Sequence, residues 1–82
     1  MKIKSVSIPA NSTVGIFSAT GVTIAASYVT IQAVANVVMV DNSQGTGNQF
    51  PVEDTPFHVN EEVYLRNLSG NDNSVLVRII AG

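Results

Sequence analysis

The chain has 82 residues, a length that allows one small domain, so residues 1–82 are expected to form a single folding unit. Only 12% of the residues are charged and none is a cysteine, which excludes a disulfide framework, a thiolate nucleophile and a cysteine-ligated metal site. With four Lys and Arg residues and a net charge of −2, the chain offers no basic patch to nucleic acid.

The balance of apolar residue types predicts a fold made of strands. Val, Ile and Thr together number 26, against three Leu, and β-branched side chains suit a pleated surface better than a helix. Turn-forming residues recur every eight to twelve positions, which is typical of a sandwich or barrel. We therefore expect an all-β domain, a small antiparallel β-sandwich with seven or eight short strands.

The first two predicted strands lie before residue 20. Lys2–Ile8 alternates weakly and ends in a turn that begins at Pro9. Thr13–Ser18 is the second predicted strand, and strict alternation places Ile16 and Phe17 on its opposite faces. No segment with helical periodicity and capping residues is visible, so no helix is predicted.

Two further apolar segments follow, and they alternate in different phases. In Gly21–Ala26 the apolar positions are even-numbered, whereas in Tyr28–Gln32 they are odd-numbered. A shift of one residue turns a strand over. We therefore expect both segments to be strands, with a bend or bulge near residues 25–27 that lets the chain cross between sheets.

Asn36–Asp41 is the most apolar segment of the chain, because both faces of the predicted strand carry Val or Met. A strand of this kind is covered on both sides. One face is expected to lie in the core, and the other lies either under a loop or against a partner. The polar loop that follows runs to Gln49 and contains two glycines.

The last third of the chain predicts four strands. Phe50–Val52 and Pro56–Val59 each contain a proline, which confines strands to sheet edges or to strand starts. Glu62–Asn67 alternates, with Val63 and Leu65 facing inward. Ser74–Ile80 also alternates, with valines and Ile79 on one face and Leu76, Arg78 and Ile80 on the other.

Residues that could carry chemistry are few. His58 is the only histidine, and one imidazole beside loop carboxylates makes a poor transition-metal site. The adjacent pairs Glu53–Asp54 and Glu61–Glu62 are expected to be solvated turn residues. As an alternative, Asp41, Asn42, Glu53 and Asp54 could offer oxygen ligands to Ca²⁺, although their spacing is not that of an EF-hand. We expect no catalytic residue, no cofactor and no metal, and therefore no enzyme.

The candidate functional residues are those suited to a contact surface. Phe17, Tyr28 and Tyr64 fall on the face opposite the main apolar alternation, either because they form an interface or because both faces are partly core. Aromatic rings also stack on sugars, which keeps carbohydrate binding open. The predicted interaction residues are Val37, Met39, Tyr28, Tyr64 and Phe50.

No segment of the sequence predicts secretion or membrane insertion. Two lysines near the N-terminus are not followed by the apolar run of a signal peptide. The longest continuous apolar run, Val37–Val40, is far shorter than the roughly 20 residues of a transmembrane helix. A soluble protein made in the cytoplasm is expected.

Several motifs together resemble small virion proteins of phages. They are VSIPANSTV, FPV, TPFHV, YLRNLSG and the closing SVLVRIIAG, at Val6–Val14, Phe50–Val52, Thr55–Val59, Tyr64–Gly70 and Ser74–Gly82. The resemblance is to single-domain β-sandwich or jelly-roll components of phage particles, including capsid decoration proteins, and no functional residue carries over from it.

The resemblance implies a non-enzymatic structural protein that assembles into a virion in the host cytoplasm. Its expected partners are copies of itself and a capsid or other virion protein. The first alternative is a receptor- or carbohydrate-binding module of a spike or fibre. The second is a small phage-encoded inhibitor of a host protein.

Overall fold

Residues 1–82 are described by a computed structural model, in which eight strands and one short helix follow one another. The elements are β1 Lys2–Ile8, β2 Thr13–Gly15, α1 Ile16–Thr20, β3 Ser27–Ile31, β4 Val37–Val40, β5 Gln49–Pro51, β6 Phe57–Val59, β7 Tyr64–Asn67 and β8 Asn73–Ala81. The predicted all-β class is confirmed.

The strands form two four-stranded sheets. Sheet A has the order β1-β8-β3-β6 and sheet B the order β2-β7-β4-β5, and every neighbouring pair is antiparallel. The pairs β1·β8, β2·β7, β3·β6 and β4·β5 are nested, as if one long hairpin had been rolled up. This wrapping of eight strands into two sheets is a jelly roll.

The core lies between the two sheets, where one face of each sheet is apolar. In β8 the alternation is confirmed, because Val75, Val77 and Ile79 are buried while Leu76 is exposed. The buried cluster consists of Val6, Ile8, Ile16, Phe17, Val29, Ile31, Val37, Val63, Leu65, Val75, Val77 and Ile79.

The predicted strand Thr13–Ser18 is wrong in its second half, which is helical. Two adjacent apolar residues, Ile16 and Phe17, are both buried, whereas a strand would send them to opposite faces. A helical turn places both against the core. The helix ends at Gly21, whose φ of 76° is left-handed and whose amide bonds the carbonyl of Phe17, a conformation that favours glycine.

The predicted strand Gly21–Ala26 is also wrong. The segment is irregular, Val22 packs partly against the core, and Ile24 is exposed. Strand β3 begins only at Ser27, and its buried residues Val29 and Ile31 match the predicted phase. The change of phase therefore marks the end of an irregular segment, not a bulge within one continuous strand.

Both proline-containing strands are confirmed as edge strands. Strand β5 contains Pro51 and lies at one edge of sheet B, while β6 follows Pro56 and lies at one edge of sheet A. The two edges lie near each other, since Phe50 and Phe57 line the same groove. Strands β1 and β6 are the opposite edges of sheet A.

The two faces of β4 are covered by different parts of the same chain. Val37 packs in the core and Met39 packs against it, whereas register places Val40 on the outer face beside Tyr64. Val40 is nevertheless only 7% exposed. Val40 is therefore covered by the chain itself, without a partner.

Candidate interaction surfaces

The structure distributes the five predicted interaction residues over three places. Val37 is buried in the core, so it serves the contact between the two sheets. Met39, Phe50 and Tyr64 line one groove. Tyr28 stands apart on the outer face of sheet A, 49% exposed.

The groove opens between the edge strands β5 and β6. Met39 is paired with Phe50 across β4 and β5, and these two side chains join Phe57 of β6 in an apolar lining. Phe50 is 65% exposed. The groove encloses about 500 Å³, and a neighbouring depression of about 270 Å³ shares the same three residues. This volume lies in the range of small-ligand sites.

The rim of the groove is acidic. Asp41, Glu61 and Glu62 line it, Glu53 lines the neighbouring depression, and no lysine, arginine or histidine lines either one. Four of the six carboxylates of the chain are therefore gathered here. We call this region the acidic groove.

Glu62 has a structural task that the sequence did not reveal. Its Oε1 accepts the amides of Phe17 and Val63 at 2.8 and 3.0 Å, and its Oε2 accepts the amide of Ser18 at 3.0 Å. The carboxylate thus caps the start of α1 from a position 45 residues away. The expectation of a solvated turn residue is wrong for Glu62, which is half-buried.

A second surface is the outer face of sheet A. Register aligns Ile3 with Arg78 and Tyr28 with Ile80 across neighbouring strands. Four large apolar side chains are exposed on this face, and we call them the apolar face of sheet A: Ile3 at 59%, Tyr28 at 49%, Leu76 at 51% and Ile80 at 37%.

Polar groups at the centre and rim of this face are held by neighbours. Arg78 donates to Thr30 Oγ1 at 3.1 Å. The ring of Tyr28 meets the ring of His58 edge-on, with centroids 5.0 Å apart and planes inclined by 71°. His58, the only histidine, is therefore exposed on the edge strand β6, next to the ring of Tyr28.

The loop that follows β4 packs on part of the outer face of sheet B. Gly45 lies so close to Thr13 and Arg66 that a Cβ added there would overlap both side chains. Arg66 donates to Thr13 Oγ1 at 3.3 Å beneath the loop. Within the loop, Asn42 Oδ1 accepts the amide of Thr46 at 3.1 Å.

Asn67 is a buried polar residue that holds one end of the sandwich together. Its Nδ2 donates to the carbonyls of Ile8 and Asn71 at 3.0 and 2.7 Å, and its Oδ1 accepts the amide of Ser69 at 2.9 Å. Its burial within a polar Asn-rich segment gave no signal in the sequence. The bonds show that Leu65–Ser69, with its Leu-x-Asn-x-Ser pattern, holds the connection between β7 in sheet B and β8 in sheet A.

Sequence reasoning missed three of the four residues of the apolar face: Ile3, Leu76 and Ile80. The signal was present in β8, because its outward positions alternate Leu, Arg and Ile with the buried valines. Strand β8 shares with β4 the pattern of apolar residues on both faces, and its outward residues Leu76 and Ile80 are exposed.

No group of three or more His, Asp or Glu side chains is arranged to hold a metal ion. The five-residue helix α1 is the one helix of the structure, and no helix has the length and apolar character needed to cross a bilayer. In comparisons with known proteins, no family model, no curated protein and no solved structure matches the chain.

Proposed function

We propose that the chain is a non-enzymatic, self-associating structural protein of a phage particle, and that it docks on the capsid through the apolar face of sheet A. The observation that carries the proposal is the contrast between the two sheets. The loop after β4 packs on Thr13 and Arg66 at the outer face of sheet B, whereas Ile3, Leu76 and Ile80 are exposed together on sheet A. Contiguous exposed apolar residues on a small domain mark contact surfaces.

The fold and the sequence motifs support the same proposal independently of this surface. Jelly rolls occur in viral capsid domains, in lectins and in cupins, so the fold alone does not choose among these functions. The resemblance of the strand motifs to small phage virion proteins favours the particle. A low charged fraction of 12% suits a subunit whose surface is shared with neighbours.

Cosedimentation with capsids tests the proposal. The capsids are assembled from the major capsid protein encoded in the same genome, and the wild-type chain is expected to sediment with them. Leu76→Glu places a charge on the apolar face, beside Arg78, and is expected to weaken binding at least tenfold, as for an interface residue that loses its burial. The matched control is Leu68→Glu, because Leu68 is 42% exposed outside this face.

The control is expected to bind as the wild type does. The proposal is overturned if the wild-type chain stays in the supernatant. Its docking surface is overturned if Leu76→Glu and Leu68→Glu bind equally well.

A carbohydrate-binding function is the second candidate, and the acidic groove is the observation that favours it. The exposed ring of Phe50 stands beside the polar side chains of Asp41, Asn48 and Gln49, which is an aromatic platform with hydrogen-bonding neighbours. A glycan array probed with the wild-type chain and with Phe50→Ala tests it. Signals that Phe50→Ala abolishes support the candidate, and an array without signal dismisses it.

A further inference from the structure

The acidic groove has a counterpart of opposite charge on the same chain. Strand β1 is a free edge of sheet A, and residues 1–5 at its start are all exposed. Lys2 and Lys4 lie there, which is half of the cationic side chains of the protein. Met1 and Ile3 alternate with them and are 79% and 59% exposed. We call residues 1–5 the basic edge.

The basic edge and the acidic groove match in chemistry. Each combines apolar side chains with charges of one sign. On the edge, exposed Met1 and Ile3 lie among two lysines. In the groove, exposed Phe50 and half-buried Met39 and Phe57 lie among carboxylates. Complementary charge fixes the register of a contact and disfavours wrong pairings. Apolar side chains enclosed at its centre supply most of its binding free energy.

The two surfaces lie on opposite sides of the molecule. The order β1-β8-β3-β6 places the basic edge and Phe57 at opposite edges of sheet A, separated by three strand spacings of roughly 4.8 Å each. The basic edge of a chain therefore cannot reach its own groove. Any contact between them joins two copies of the chain.

The charges also decide between symmetric and head-to-tail pairing. Two basic edges would bring lysines against lysines, and lysines on an edge strand oppose such pairing. Two acidic grooves would bring carboxylates against carboxylates. We infer that copies of this chain associate head to tail, with the basic edge of one copy seated in the acidic groove of the next, a heterologous contact that closes into a ring or continues as a filament.

This inference rests on the self-association included in the proposed function and names the two surfaces that make it. The apolar face of sheet A is largely left for the capsid, since Tyr28, Leu76 and Ile80 lie outside residues 1–5. The contact is expected to weaken as salt concentration rises, because its charged rim is exposed and therefore screened.

A charge swap tests the inference by sedimentation velocity at low salt. The wild-type chain is expected to sediment as an oligomer. The variant Lys2→Glu/Lys4→Glu places an acidic edge against an acidic groove, and Glu53→Lys/Glu61→Lys places a basic groove against a basic edge. Each double variant is expected to be monomeric. Glu53 and Glu61 are exposed and are chosen because the helix cap at Glu62 is left intact.

The quadruple variant, which carries both pairs of substitutions, is expected to regain the wild-type oligomer. Symmetric pairing cannot explain this recovery, because like charges would still face like charges. The matched control, Leu68→Glu/Asn71→Glu, adds two carboxylates outside both surfaces and is expected to leave the oligomer intact. Circular dichroism confirms that each variant is folded.

Three results would overturn the inference: a monomeric wild-type chain, double variants that remain oligomeric, or a quadruple variant that stays monomeric. Capsid cosedimentation separates this failure from failure of the proposed function. A chain that binds capsids but is monomeric in solution leaves capsid docking standing and removes the head-to-tail contact. A head-to-tail oligomer that does not bind capsids leaves the head-to-tail contact standing and removes capsid docking.

Discussion

Each sheet carries an arginine on its outer face that donates to a threonine directly opposite on the neighbouring strand. In sheet B, Arg66 reaches Thr13 Oγ1 at 3.3 Å, and in sheet A, Arg78 reaches Thr30 Oγ1 at 3.1 Å. The surroundings differ. Gly45 brings a loop over Arg66, while the apolar neighbours of Arg78 remain exposed.

A strand that is apolar on both faces can therefore mark either an internal contact or an exposed surface. In β4 the second apolar face is used within the chain, because Val40 is buried although it lies outside the core. In β8 the second face carries Leu76 and Ile80 in the open. The same sequence pattern thus marks an internal cover in one sheet and a candidate interface in the other.

The largest loss of stability is expected from a substitution that disturbs the loop where it packs against sheet B. Gly45→Ala adds a Cβ against Thr13 and Arg66 at a φ of 72°. Left-handed backbone and overpacking together are expected to lower the free energy of unfolding by roughly 2–4 kcal/mol. The measurement is urea denaturation followed by circular dichroism.

The matched control for that substitution is Gly70→Ala. Gly70 has open space around its Cα and its φ is outside the left-handed region, so a change within about 0.5 kcal/mol is expected. Equal losses in both variants would contradict the close packing of the loop and remove the contrast between the two faces.

The part of the fold that the sequence predicted is the part governed by alternation. Val75, Val77 and Ile79 repeat every second residue and are buried as expected, and prolines marked the edges β5 and β6. The helix was missed because its cap comes from Glu62, which is remote in sequence. Five residues are also too few to show a helical period.

The candidate surfaces were predictable only in part, for a similar reason. Met39, Phe50 and Tyr64 were selected for their residue type, and the pairing of β4 with both β5 and β7 brings them together. Whether an outward side chain is covered depends on contacts between distant segments. The loop of residues 41–48 reaches Thr13 and Arg66 through Gly45, a contact without any local sequence signal.

A smaller effect is expected from truncating one apolar side chain on each outer face. Val40→Ala removes two methyl groups from a side chain that is 7% exposed, which is expected to cost about 1.6 kcal/mol at about 0.8 kcal/mol per group. Leu76→Ala removes more atoms, but Leu76 is 51% exposed, so about 0.5 kcal/mol or less is expected. Urea denaturation of both variants measures the difference, and a larger loss for Leu76→Ala would show that sheet A is the covered face.

The smallest difference in stability is expected between variants of the two arginines. Arg66→Met and Arg78→Met each keep an apolar stem and remove one hydrogen bond to a threonine. Both hydrogen bonds are half-buried. Arg66→Met also removes the guanidinium against which Gly45 packs, so it is expected to cost about 1 kcal/mol. Arg78→Met loses only the bond to Thr30, which water can replace, and is expected to cost less than about 0.5 kcal/mol.

Thermal denaturation of the two methionine variants side by side checks this difference, with Arg66→Met expected to have the lower Tm. Because Arg78→Met also enlarges the apolar face of sheet A, it should bind more of a hydrophobic dye than Arg66→Met does. Equal Tm values and equal dye binding would mean that the loop leaves Arg66 as accessible to water as Arg78. In that case both outer faces would be open, and the assignment of the capsid contact to sheet A would lose its main support.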